Sequence, residues 1–131
     1  MLVVDASVLY EVVADTPRSE TMRRRLATDD EQVAPSVIDV EVLGVIRRHH
    51  LDGRLDRTAA GQAVDDLRDW PGERHGHRPL LARAWELHRT VRGWDAMYVA
   101  LAEVFDATLL TTDARLAGAV GPRCPIEVLG T

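Results

Sequence analysis

The chain has 131 residues, is 46% hydrophobic and 28% charged, and carries a formal net charge of −5. That balance describes a globular domain with a real core and argues against disorder and against broad non-specific binding to nucleic acid, which needs a basic surface. All 16 basic residues are arginine, so a class that depends on a catalytic lysine, such as a receiver-type signalling domain, is excluded.

In chain order, Leu2 to Val4 forms a short apolar strand ending at Asp5. No basic segment precedes that run and an acid interrupts it, so it does not look like a signal peptide. Ser7 is placed to cap a helix running to about Ala14. After Pro17, a helix from Ser19 to Ala27 sets Met22 and Leu26 on one stripe and leaves Arg23 to Arg25 outside. Gln32 to Ala34 is a second strand. Pro35-Ser36 opens a helix to about His50, where Asp52-Gly53 stops it. A fourth helix covers Asp56 to Trp70 and ends at Pro71-Gly72. Glu73 to Arg78 is weakly patterned and reads as an irregular strand, and Leu80 to Arg89 as a fifth helix. Asp95 to Phe105 is apolar almost all round and is expected to be buried. Thr108 to Thr111 is a strand, Ala114 to Ala117 a helical turn, and Ile126 to Leu129 the last strand. Strands alternating with helices predict one α/β domain over residues 1–131, with a central parallel sheet covered on both faces. No apolar run reaches the roughly 18 residues of a membrane span. The single Cys124 fits a reducing, cytoplasmic compartment.

Four carboxylates stand out because their surroundings are apolar: Asp5 in Val-Val-Asp-Ala-Ser, Glu41 between Val40 and Val42, Asp95 in Trp-Asp-Ala-Met, and Asp113 in Thr-Thr-Asp-Ala-Arg. A buried lone carboxylate costs several kcal/mol unless it finds a cation. In parallel sheets, sites form at the carboxyl ends of strands, which is where Asp5 and Asp113 fall. Each acid has a plainer explanation: Asp5 and Asp113 as helix caps, Glu41 as an arginine partner, and Asp95 as a charge on a helix dipole. Taken jointly they point to a shared divalent cation, with oxygen-only donors favouring Mg2+ or Mn2+. Asp39 and Glu103 are expected to point elsewhere. The pairs His49-His50 and His75-x-His77 read as exposed polar groups.

The order and context of these acids resemble the PIN-domain nucleases, and specifically the VapC-type toxins of toxin–antitoxin pairs: the strand into Asp5-Ala-Ser7, Glu41 on the third helix, Trp94-Asp95-Ala96 opening a buried helix, and Thr111-Thr112-Asp113 after a strand. The resemblance spans essentially the whole chain. It implies a three-layer α/β/α fold with a parallel sheet, Mg2+- or Mn2+-dependent RNA cleavage, a homodimer, and inhibition by a cognate VapB-type antitoxin. Asp5, Glu41, Asp95 and Asp113 are then the metal-holding catalytic acids, and Ser7 and Thr111 carry hydroxyls placed to orient them. Phosphodiester hydrolysis needs an activated water and relief of charge on the phosphoryl oxygens, both of which such an ion supplies. One departure is visible. Such toxins often carry Thr or Ser three residues before the third acid, and here Arg92 stands there, followed by Gly93, which bears on the cap of that helix. The rival reading is a non-catalytic PIN-like module that binds protein or RNA. For the antitoxin, Val8, Leu9, Val12, Val13, Met22 and Leu26 on the first two helices are expected to offer part of an apolar groove.

Overall fold

The computed structural model describes residues 1–130. Five strands form one all-parallel sheet in the order β3-β2-β1-β4-β5: β1 Leu2–Val4, β2 Gln32–Pro35, β3 Glu73–His75, β4 Thr108–Thr111 and β5 Ile126–Val128. Parallel neighbours need long crossovers, which here are helices. The helices are α1 Ala6–Val13, α2 Ser19–Leu26, α3 Val37–Leu51, α4 Arg57–Asp69, α5 Leu81–Glu86, α6 Asp95–Phe105 and α7 Ala114–Ala117. Helices α1 to α4 pack on one another, while α5 and α6 pack together and α6 also lies on β1, β2 and β4. This is the expected three-layer α/β/α arrangement.

The central strand explains its own sequence. Leu2, Val3 and Val4 are all buried, because β1 is covered on both faces and has no polar side to present. It pairs Val3 with Val33 on one side and Val4 with Leu110 on the other. The chain proceeds from β1 outward to β3, then crosses to β4 and β5. The strand order therefore reverses between β1 and β4, the switch point at which such sheets open a crevice. The weak pattern at Glu73–His75 belongs to an edge strand, paired with β2 through Ala34 and Arg74.

Several expectations need correction. Ser7 does not cap α1; Asp5 does, accepting from the Val8 N–H at 3.2 Å, and Ser7 lies inside the helix. The fifth helix is shorter than predicted. A 3-10 turn at Arg78–Leu80 leads into it, and beyond Glu86 the chain continues in tight turns such as Leu87 N–H to Ala84 O and Thr90 N–H to Leu87 O. Leu80, Ala84, Leu87 and Val91 remain buried, so a helix-like spacing is satisfied without a continuous helix. The apolar residues of α1 and α2 form no groove. Val8, Leu9, Val13, Met22 and Leu26 are buried in the core, and Val12 is half-buried. Of the four histidines expected to be exposed, His50 is, and the other three are not. His49, beside Tyr10 at 2.5 Å, and His77, which accepts the Val37 N–H at 3.0 Å, are half-buried and hold neighbouring elements. His75 packs edge-on to Phe105. Among the described residues no helix is long and apolar enough to cross a membrane.

Candidate active site

Asp5 leaves β1 in an extended conformation (φ −88°, ψ 168°), which is what an N-cap requires, and its Oδ1 accepts the N–H of Val8, the third residue of α1. The same oxygen accepts the Ser7 hydroxyl at 2.5 Å. Ser7 Oγ in turn accepts the Thr112 N–H at 3.1 Å. One short side chain thus ties the carboxyl end of β1 to that of β4 across the switch point. Asp5 is only 6% exposed and has no ion pair among the described residues. Burial pushes its carboxyl above the usual range, hydrogen bonds from Ser7, Thr111 and Val8 oppose that, and the charge of Asp95 adds to the rise.

Asp113 follows β4 as Asp5 follows β1. It caps α7 through Oδ1, accepting from the Arg115 N–H at 2.9 Å and from Arg115 Nε at 3.3 Å. Its own N–H donates to Thr111 Oγ1 at 3.1 Å. Burial would raise Asp113, but the Arg115 N–H and guanidinium outweigh it and hold the carboxyl low.

Glu41 lies one turn into α3. Its Oε1 accepts the hydroxyl of Tyr98, a fully buried residue of α6, at 2.9 Å. Burial raises Glu41, Tyr98 opposes, and the charges of Asp95 and Asp5 push it further up. Tyr98 is itself raised, by burial first and then by Glu41. Asp95 opens α6, where the helix dipole favours a negative charge. No side chain caps that helix: Trp94 occupies the cap position, and Arg92 stands where a hydroxyl would serve. Burial and then Asp113 raise the Asp95 carboxyl, while Arg92 and Arg115 pull it down.

The four predicted acids therefore come to one end of the sheet and feel one another's charge. Glu41 and Asp95 line one cavity of about 430 Å³, and Asp95 and Asp113 line a neighbouring one of about 230 Å³. Asp39 points away, bound by Arg74 at 3.0 Å, and Glu103 is held by Arg83 at 2.7 Å. Among the described residues no three His, Cys, Asp or Glu side chains are close enough to form a ready-made ion cage. The donor chemistry nonetheless fits a hard divalent cation: Asp5 and Glu41 are oxygen donors held by neutral hydroxyl or backbone groups, and neither they nor Asp95 forms a salt bridge among the described residues. Both capping assignments hold as well, and each cap uses Oδ1. Sequence reasoning missed Tyr98, although a tyrosine inside an apolar helix must find a partner for its hydroxyl once buried. It also missed Arg115, whose signal was its position two residues after Asp113.

A parallel sheet with carboxylates gathered at the β1–β4 switch point defines the PIN class of α/β domain. The family pattern described as "PIN domain" matches residues 2–121, and the chain belongs to that family. It is similar to proteins named ribonuclease VapC from Mycobacterium tuberculosis. It is 43% identical to ribonuclease VapC3 over 119 residues, covering 90% of this chain and 86% of the relative. To ribonuclease VapC1 it is 36% identical over 128 residues, 97% of this chain and 96% of the relative. Ribonuclease VapC12 is 34% identical over 129 residues, covering 98% and 99%.

Proposed function

We propose that this chain is a VapC-type endoribonuclease that hydrolyses RNA phosphodiester bonds with Mg2+ or Mn2+, and that it acts as the toxin of a pair with a VapB-type antitoxin. The observation that carries this reading is Asp5: a buried carboxylate at the switch point, with the like charge of Asp95 acting on it and no ion pair among the described residues. Evolution of a merely structural site would favour a neutral or paired residue there, because an unpaired buried charge is costly. The relatives' printed name, ribonuclease, supports the same reading.

Asp5, Glu41 and Asp95 would hold the ion, with Asp113 completing the set. When bound, a divalent ion supplies charge neutralisation at the phosphoryl oxygens and a water of lowered pKa. The chain's own residues do the positioning. Ser7 fixes the Asp5 carboxyl and links it to the loop after β4, Tyr98 fixes Glu41, and Thr111 fixes the backbone of Asp113. Arg115 holds Asp113. A homodimer belongs to the same proposal. Against the rival, a non-catalytic interaction module, stands the presence of all four acids.

The test is cleavage of total cellular RNA by the purified chain with Mg2+ or Mn2+, with EDTA and with Asp95→Asn. The expected result is endonucleolytic fragments that vanish in both controls. Fragments that persist in Asp95→Asn would overturn the assignment. Expression with and without the adjacent antitoxin frame tests the toxin role: unimpaired growth in its absence would refute it.

A further inference from the structure

Three tryptophans show three degrees of partnership. Trp70 lies under the Arg74 guanidinium, 4.8 Å from Cζ to ring centroid, and donates to Gln32. Trp85 stacks on His88 at 4.0 Å with planes 6° apart. Trp94 is 62% exposed and has neither an aromatic partner nor a hydrogen bond from its indole N–H among the described residues. Exposure alone does not mark it, since single apolar side chains on a surface are ordinary and Trp85 is 69% exposed as well; the position of Trp94 does. Its place is specific: Trp94 immediately precedes Asp95 and shares with Glu41 and Asp95 the lining of the 430 Å³ cavity. The turn that presents it is made by Gly93, whose φ of +52° lies in the left-handed region that favours glycine.

Arg92, on the other side of that glycine, is exposed and has no ion pair among the described residues. It also lines the 230 Å³ cavity together with Arg89, Arg115, Asp95 and Asp113. The same short loop thus carries an indole with no stacking partner and a guanidinium with no ion pair among the described residues, and both line the 430 Å³ cavity with Glu41 and Asp95. On a chain of net charge −5, general electrostatic attraction cannot hold a polyanion, so local contacts must.

We infer that Trp94 and Arg92 are the substrate-positioning pair of the site, the indole stacking on a nucleobase beside the scissile phosphate and the guanidinium taking a neighbouring backbone phosphate at the mouth of the same acidic cavity. This rests on the ribonuclease reading. The RNA would be gripped by one base and one phosphate, with the reacting phosphate beside them over the acids. Stacking tolerates any base, since every base has a π face, so Trp94 governs affinity and placement rather than sequence choice.

The experiment measures binding of short, labelled, unstructured RNA oligonucleotides of randomised sequence in EDTA at several salt concentrations, so that no cleavage is needed. Trp94→Ala is expected to weaken binding about 5- to 100-fold with an unchanged salt slope, and Trp94→Phe to restore most of it. Arg92→Gln is expected to weaken binding and to lower the salt slope by about 1. Both residues are exposed, so melting temperatures should stay at the wild-type value. In Mg2+ the two variants should show a raised KM on the same RNA. Trp94→Ala that binds within about twofold of wild type and cuts with unchanged KM overturns the inference and leaves the ribonuclease reading intact. A variant that alters only the oligomeric state in gel filtration also overturns it, assigning Trp94 to a protein contact. A wild-type chain that neither binds nor cuts RNA overturns both.

Discussion

The acids of this protein divide into two groups that differ in partner rather than in kind. Away from the site, Asp39 is gripped by Arg74 and Glu103 by Arg83, which donates from both Nε at 2.7 Å and Nη2 at 3.1 Å. Burial would raise the Glu103 carboxyl, but Arg83 and the Arg123 N–H hold it low. At the switch point, Asp5 and Glu41 are met by Ser7, Thr111 and Tyr98, all neutral, and their carboxyls are raised. A guanidinium next to an acid settles its charge and makes it structural. A hydroxyl fixes its direction and leaves its charge available. Asp113 stands between the groups, being both a switch-point acid and an arginine partner.

The sharpest way to break this comparison is to remove charge from the switch-point acids that no guanidinium grips. Asp5→Asn or Asp95→Asn should lower RNA cleavage at least about 1,000-fold, ~4 kcal/mol in barrier, in a single-turnover assay. Wild-type rates would place these acids with the structural ones. Next in size is the loss of a positioning hydroxyl. Tyr98→Phe should reduce activity, or the Mg2+ affinity read by titration, by about 10- to 100-fold, with the fold intact by circular dichroism.

On the arginine-held side the effect moves from activity to stability. Glu103→Gln weakens a partly buried pair and should cost about 1 to 2 kcal/mol, a melting temperature lower by several degrees, with cleavage rates unchanged. Any substantial loss of rate would blur the division between the groups.

The smallest effect is in pH dependence without metal. Asp5 is raised in the folded protein, so folding favours its protonated form. That stability is present below the ordinary carboxylate pKa and is lost as pH rises through the raised value. In EDTA at neutral pH, Asp5→Asn should therefore melt a few degrees above wild type, and the gap should close as the pH is lowered below 4, roughly the ordinary range. A variant that melts lower at neutral pH would mean that the Asp5 hydrogen bonds outweigh its desolvation.

Much of this could be read before any coordinates. An unbroken apolar strand such as Leu2 to Val4 can only be a central strand, and the alternation of strands with helices leaves a parallel sheet as the solution. Sheet physics then puts Asp5 and Asp113 on one edge, since each follows a strand. Glu41 was legible because an acid flanked by valines on a helix has no obvious partner. Other residues were misread for a physical reason. The apolar faces of α1 and α2 suggested a groove, but periodicity gives which residues share a face and not what covers it. In the fold that face meets the core, whereas Val40 on α3, adjacent to Glu41, is 71% exposed.

The sequence by itself determined the elements, the layers, and which acids lay near strand ends, because these follow from local patterns of apolar and polar residues. Tertiary structure alone decided the partners. Tyr98 reaches Glu41 across 57 positions, and Ser7 reaches Thr112 across 105. Contacts of that length exist only once β1 lies beside β4 and α6 lies against the sheet. Whether an acid meets a hydroxyl or a guanidinium there is a matter of packing distance, which no spacing along the chain encodes.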